Sequence, residues 1–62
     1  MIIQDTRGWK QEVDITKIFA CVPVSEFSYS LLFENGESHL IFEIERMRIK
    51  KELRKLTMRS MH

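Results

Sequence analysis

The fold is decided by residues 27–44, Phe27-Ser28-Tyr29-Ser30-Leu31-Leu32-Phe33-Glu34-Asn35-Gly36-Glu37-Ser38-His39-Leu40-Ile41-Phe42-Glu43-Ile44. Asn35-Gly36 is the strongest two-residue turn signal, because both central positions of a type I′ turn need a positive φ, which asparagine and glycine tolerate best. Placed at a hairpin tip, it sets Glu34 opposite Glu37, Phe33 opposite Ser38, Leu32 opposite His39 and Leu31 opposite Leu40. Farther out, Ser30 meets Ile41, Tyr29 meets Phe42, Ser28 meets Glu43 and Phe27 meets Ile44. One face then carries Phe27, Tyr29, Leu31, Phe33, Leu40, Phe42 and Ile44. The other carries Glu26, Ser28, Ser30, Leu32, Glu34, Glu37, His39, Ile41 and Glu43. Each strand alternates independently and both agree on this register; a slip of one residue would turn one strand over.

Working back toward the N-terminus, residues 13–24 are rich in β-branched and aromatic types and read as a further strand. Ile18, Ala20, Val22 and Val24 alternate onto one side, and Ile15, Lys17, Phe19 and Cys21 onto the other. Apolar groups on both sides mean either a sheet covered on two faces or a bulge that changes the phase. Pro23 has no N–H and marks the end of this strand or an edge. Residues 1–4 fit a short strand, and Asp5-Thr6-Arg7-Gly8 reads as a turn leading into residues 9–13.

Working forward, the period changes at about Glu45. Neither glycine nor proline occurs after Gly36, and Arg, Lys, Leu, Met and Glu, all good helix formers, dominate. At 3.6 residues per turn Ile49, Leu53 and Leu56 form one narrow apolar stripe in line with Phe42, while Met47 and Met58 lie nearly opposite. The expectation is an amphipathic helix over residues 45–60, three to four turns long, packing its stripe on the sheet.

The charges divide along the same boundary. Residues 1–45 hold three cations and eight carboxylates, a net of −5, and residues 46–62 hold seven cations and one carboxylate, a net of +6. An acidic body with a basic tail bears on partners and association, not on fold. The 62 residues make one domain, residues 1–44 β-rich and acidic, residues 45–60 a basic helix. Chains this short hide only about 60% of their unfolded surface. Cys21 is the sole cysteine, so no disulfide can form within the chain. Cys21, His39 and His62 form no ligand pair at zinc spacing, so neither metal nor cofactor is expected. Self-association is the remaining stabiliser, and a homodimer is expected. Residues 1–5 have no basic start, the richest apolar run (residues 18–24) is far too short to span a bilayer, and the lone thiol suits a reducing cytoplasm.

No catalytic set emerges. His39 alternates onto the outer hairpin face, Asp occurs only at positions 5 and 14, the serines lack a nucleophile elbow, and two glycines cannot build a phosphate loop. Ala20, Val22 and Pro23 surround Cys21 with apolar neighbours, which reads as a buried core thiol. Two patches remain for binding. The outer hairpin face offers Leu32, His39 and Ile41 with an acidic rim, and the outer side of the helix offers Met58 and Met47 among Arg48, Lys51, Arg54 and Lys55. Methionine adapts to irregular partners and arginine is enriched at hot spots. The same cations would serve as a phosphate clamp for nucleic acid, without specifying sequence.

Residues 13–44 resemble a family of small uncharacterised prokaryotic β-rich domains sometimes encoded beside toxin–antitoxin genes. The likeness is carried by Val13, Lys17-Ile18, Ala20, Pro23, Tyr29-x-Leu31-x-Phe33-Glu34-Asn35-Gly36-Glu37 and Phe42. It implies a strand, a proline-containing turn and a hairpin, and assigns no activity. The basic C-terminal helix stands where that family would continue with sheet.

The expected fold is α+β, an antiparallel sheet of three or four strands with one C-terminal helix across a face. The expected function is that of a cytoplasmic, non-enzymatic adaptor or inhibitor of a protein, of the compact kind common among phage and mobile-element products. The alternative is a small nucleic-acid-binding regulator.

Overall fold

A computed structural model describes the backbone of residues 1–60 and the side chains of residues 1–58. The Arg59 cation and His62 of the sequence reading lie outside the described residues. Five strands and one long helix follow in order: β1 (Ile2–Gln4), β2 (Lys10–Glu12), a turn of 3-10 helix (Ile15–Lys17), β3 (Ile18–Pro23), β4 (Ser28–Phe33), β5 (Ser38–Phe42) and α1 (Glu43–Ser60). β1 and β2 pair as a two-stranded ribbon, and β3-β4-β5 form a three-stranded antiparallel sheet. The architecture is the expected α+β one.

The hairpin forms where the sequence predicts it, but its register is one residue away. Leu32 faces Ser38, Leu31 faces His39, Ser30 faces Leu40, Tyr29 faces Ile41 and Ser28 faces Phe42. The cause lies in the turn. Only Gly36 has a positive φ, +90°; Asn35 does not. Gly36 N–H donates to Phe33 O at 3.0 Å and Phe33 N–H donates to Glu37 O at 2.9 Å. Three residues therefore cross the tip, a type I turn closed by a left-handed glycine bulge. This loop asks for left-handed backbone at glycine alone. It also frees the Asn35 side chain to accept the Glu37 N–H at 2.9 Å. Consequently Ile41 lies on the same face as Tyr29, Leu31 and Phe33, while Leu40 and Phe42 turn away.

β3 carries the bulge offered as one reading of its two-sided pattern. Ile18 faces Phe33, the next pair is Ala20 with Leu32, and Phe19 is the extra residue. The strand is shorter than residues 13–24. Asp14 instead caps the 3-10 turn, accepting the Thr16 N–H at 3.0 Å. Beyond the bulge Cys21 and Pro23 join the Leu31 face, and Ala20 and Val22 the opposite one. Two cross-strand rows, Ala20–Leu32–Ser38 and Val22–Ser30–Leu40, thus cross the back of the sheet, with Ser28, Phe42 and, by alternation, Val24 beyond them.

The front face is covered. Ile3 and Val13 from the N-terminal ribbon, Ile15, sheet residues Leu31, Phe33 and Ile41, and Ile49 of α1 make one buried core, with Met1, Ile18, Tyr29 and Leu53 packed around it. The ribbon's turn is tied by Asp5, whose carboxylate accepts the N–H groups of Arg7 and Trp9, each at 3.0 Å. Thr6 N–H reaches across to Leu40 O at 2.9 Å and fastens this turn to the outer edge of β5.

Candidate functional site

α1 begins two residues earlier than the sequence suggests, at Glu43, and so takes Glu43 and Glu45 into its first turn. Carboxylates there complement the exposed N–H groups and positive end of the helix dipole. Over residues 43–60 the chain holds seven cations and three carboxylates, a net of +4. Three cations are neutralised inside the helix at i,i+3 spacing. Arg46 Nε donates to Glu43 at 3.0 Å, Arg48 Nη1 donates to both Glu45 oxygens at 2.7 and 2.8 Å, and Lys55 lies 3.5 Å from Glu52.

The first of these pairs also anchors the helix to the sheet. The Arg46 guanidinium sits 5.0 Å above the Tyr29 ring, and the Tyr29 hydroxyl hydrogen-bonds the Glu43 carboxylate. The Arg46 bond, then the Tyr29 bond, hold the Glu43 carboxyl down to about 2. Bonding to Glu43, then burial, push the Tyr29 phenol up.

Lys50, Lys51 and Arg54 have no acidic partner among the described residues. At 3.6 residues per turn Lys51 and Arg54 share one face with Ile44, Met47 and Met58. Met47 and Met58 are 59% and 61% exposed. Of the predicted helix contacts, Lys51, Arg54 and Met58 therefore come together as free surface. Lys55 stands beside them in its ion pair. Arg48 is turned toward the N-terminal ribbon, where its Nη2 also reaches Ile2 O at 3.4 Å. Ile44 and Lys50 belong to the neighbourhood of this surface and are absent from the predicted set. The sequence reading assigns Ile44 to the hairpin; its signal is a position one turn before Met47 and Arg48.

The predicted hairpin patch does not exist. Ile41 is 0% exposed, at the centre of the core, and is removed as a contact residue. His39 lies on the core face, half-buried, edge-on to the Phe33 ring with centroids 5.7 Å apart. Its Nε2 is 3.9 Å from a Glu37 oxygen. Leu32, half-buried, points out of the opposite face. The one-residue register difference separates Leu32 from the other two.

Cys21 is also corrected: it is exposed, not buried in the core. It lines a cleft of about 240 Å³ between α1 and the sheet, beside Ile18, Tyr29, Ile49 and Leu53. Burial pushes its thiol up, Arg46 opposes this and Glu43 adds to it, so the protonated form prevails at neutral pH. Glu12, Asp14, Glu34 and Glu37 line a second cleft of about 440 Å³ at the far end of the sheet. Among the described residues no group of three or more His, Cys, Asp or Glu could hold a metal ion, and no helix is long and apolar enough to cross a membrane. No known protein family, characterised protein or solved structure matches this chain.

Proposed function

We propose that this chain is a small non-enzymatic binding protein, an adaptor or inhibitor of a cytoplasmic protein, that docks through the outer face of α1. The observation that supports this reading is the pairing of two exposed methionines, Met47 and Met58, with two unpaired cations, Lys51 and Arg54, on one helix face. Such a face suits a shallow apolar groove rimmed by carboxylates. The thioethers fill irregular contours, and the cations set register and encounter rate. Arg54→Glu and Met58→Asp should each abolish recovery of a stoichiometric partner from host lysate while leaving the circular dichroism unchanged. Retention of the partner by both variants would remove the helix face from the interface.

The free cations also support a second reading, a phosphate clamp for nucleic acid. Lys50, Lys51 and Arg54 would neutralise about three phosphates and give a log–log salt slope of about −3. Titrating a short duplex at low and high salt separates the two readings. No binding at low salt eliminates the clamp. Binding that is salt-steep and lost when Lys50, Lys51 and Arg54 are neutralised eliminates the docking groove in its favour.

A further inference from the structure

The back of the β3-β4-β5 sheet is bare. Val22, Val24, Leu40 and Phe42 stand on it between 44% and 53% exposed, interleaved with Ser30 and its neighbours. No charged residue lies on either cross-strand row, although 31% of the chain is charged. We infer that this face is a two-fold symmetric interface that packs against the same face of a second copy of the chain, sheet on sheet. The inference is independent of the helix face, which lies on the other side of the sheet.

Three observations select a second copy. An isologous contact sets a patch against itself, so a charged patch repels its own image. The outer face of α1 would bring Lys51 and Arg54 against their copies, and the far end of the sheet would bring Glu34 and Glu37 against theirs. The back face is the surface whose rows carry no charge. Secondly, both sheet edges are closed to pairing. β3 ends in Pro23 and is kinked by the Phe19 bulge, and Thr6 already bonds the outer edge of β5 at Leu40 O. Bulges, proline and covering loops are how edges avoid strand addition. The edges are guarded and the face is not. Thirdly, the four half-exposed side chains and the strip between them present roughly 500 Å² per copy, at the upper end of what monomers leave bare; two copies would hide roughly 1,000 Å², the lower bound of a specific interface. Two such faces pack aligned at about −30° with their side chains interdigitated.

In that arrangement Ser30, midway along the row between Val22 and Leu40, lies near the two-fold axis. Light scattering coupled to size exclusion, run across a dilution series, should give a mass near twice the 7.5 kDa of one chain at high concentration. Ser30→Glu and Leu40→Glu each place two carboxylates in the buried interface per dimer and should weaken association by about a hundredfold or more. Met47→Glu should leave the mass unchanged. In a Cys21→Ser background, Ser30→Cys should cross-link into a covalent dimer under mild oxidation. That arm does not depend on the glutamate variants folding. A wild-type chain that stays monomeric at about 200 µM overturns the inference. So does a dimer that fails to cross-link through Ser30→Cys, or one that survives Ser30→Glu and Leu40→Glu with native circular dichroism but dissociates in Met47→Glu.

Discussion

Truncating Ile41 and Leu40 in turn tests the hairpin register, on which the back face of the sheet depends. The three-residue turn places Ile41 at 0% and Leu40 at 49% exposure. Ile41→Ala removes three fully buried carbons, about 2.4 kcal/mol of transfer at 0.8 per methylene, and the cavity left behind raises the cost to about 3–4 kcal/mol. Leu40→Ala removes three carbons already half in water, about 1 kcal/mol, and leaves no enclosed cavity. A folded domain of 62 residues has about 3–9 kcal/mol in total. Ile41→Ala therefore approaches complete unfolding, whereas Leu40→Ala remains native. Urea titration followed by tryptophan fluorescence, with a slope of about 1 kcal/mol/M, resolves the difference. Ile41→Val, losing about 1 kcal/mol, supplies a midpoint if Ile41→Ala does not fold. Each titration belongs at two protein concentrations, since a dimer across the back of the sheet adds a concentration-dependent loss at Leu40 only. The two-residue turn predicts the reverse order, Leu40 buried and Ile41 exposed. A larger loss at Leu40 than at Ile41 at the lowest concentration would refute the three-residue turn.

Acid should weaken the fold through three carboxylates, Glu43, Asp5 and Asp14, the last held down by bonds from the Thr16 hydroxyl and N–H. Glu43 is held down to about 2 from 4.5 by Arg46 and then Tyr29; at Asp5 burial opposes ionisation, but the N–H groups of Trp9 and Arg7 outweigh it and hold the group below 3.8. A carboxylate with a depressed folded pKa adds stability that is complete above its unfolded value and is lost as pH falls through the folded one. Thermal midpoints should therefore hold level down to pH 4.5 and drop between there and about 2, with Glu43→Gln flattening part of the drop; a midpoint level to pH 2 would dismiss the Glu43–Arg46–Tyr29 clamp. Gly36→Ala should cost about 1–2 kcal/mol of left-handed strain and nothing by collision, because open space surrounds the added Cβ. Gly36→Asn should cost less, and chemical denaturation that ranks asparagine below alanine would contradict the turn geometry. Asp5→Ala should speed hydrogen exchange at the Arg7 and Trp9 amides more than Asp5→Asn does, because the amide oxygen still accepts both bonds; equal rates in the two variants would mean that the carboxylate does not organise the turn.

What the sequence reveals about this chain is what is local. The tip of the hairpin, the turn at Asp5-Thr6-Arg7-Gly8 and the change to helical period each rest on a few adjacent residues, and each forms. The register is not local in the same way. An asparagine followed by glycine closes a two-residue loop with both in left-handed backbone, or a three-residue loop with only the glycine there. Alternation cannot separate the two, because Leu40, Ile41 and Phe42 are consecutive apolar residues and either phase buries one or two of them. The start of α1 is hidden for a related reason: Phe42-Glu43-Ile44 alternates well enough to read as strand. The i,i+3 pair of Glu43 with Arg46, together with the tertiary contact of Glu43 with Tyr29, favours helix there. The register difference has one consequence. Ile41 and His39 move inward, Leu40 and Phe42 move outward, and an apolar surface appears where an acidic-rimmed one was expected.

The division of charge has a similar history. An acidic body and a basic tail suggest that the tail's cations lie on the body's carboxylates. Arg46 and Arg48 do pair with Glu43 and Glu45 of that body, but α1 has taken both carboxylates into its own first turn; Lys55 pairs with Glu52, and no ion pair joins an α1 cation to a carboxylate of the strands among the described residues. Exposed i,i+3 pairs such as Lys55–Glu52 contribute only about 0.2–0.5 kcal/mol each, whereas Glu45, 8% exposed, is better shielded from water. The larger effect of the three pairs is on where net charge remains. Consuming Glu43, Glu45 and Glu52 leaves Lys50, Lys51 and Arg54 unbalanced on the helix, and Glu26 and Glu34 unbalanced on the sheet loops. A symmetric dimer built on the back face of the sheet would carry two outward helices on opposite sides, each with its methionines and free cations exposed. Such a particle is bivalent. If its two target sites belong to one assembly, the second contact forms at an effective concentration set by geometry, and avidity exceeds single-site affinity without any new contact. The Ser30→Glu variant separates these contributions. It should keep single-site affinity for an isolated partner and lose affinity only for a partner presenting two sites. An equal loss for both would place the sheet's back face in the target interface itself.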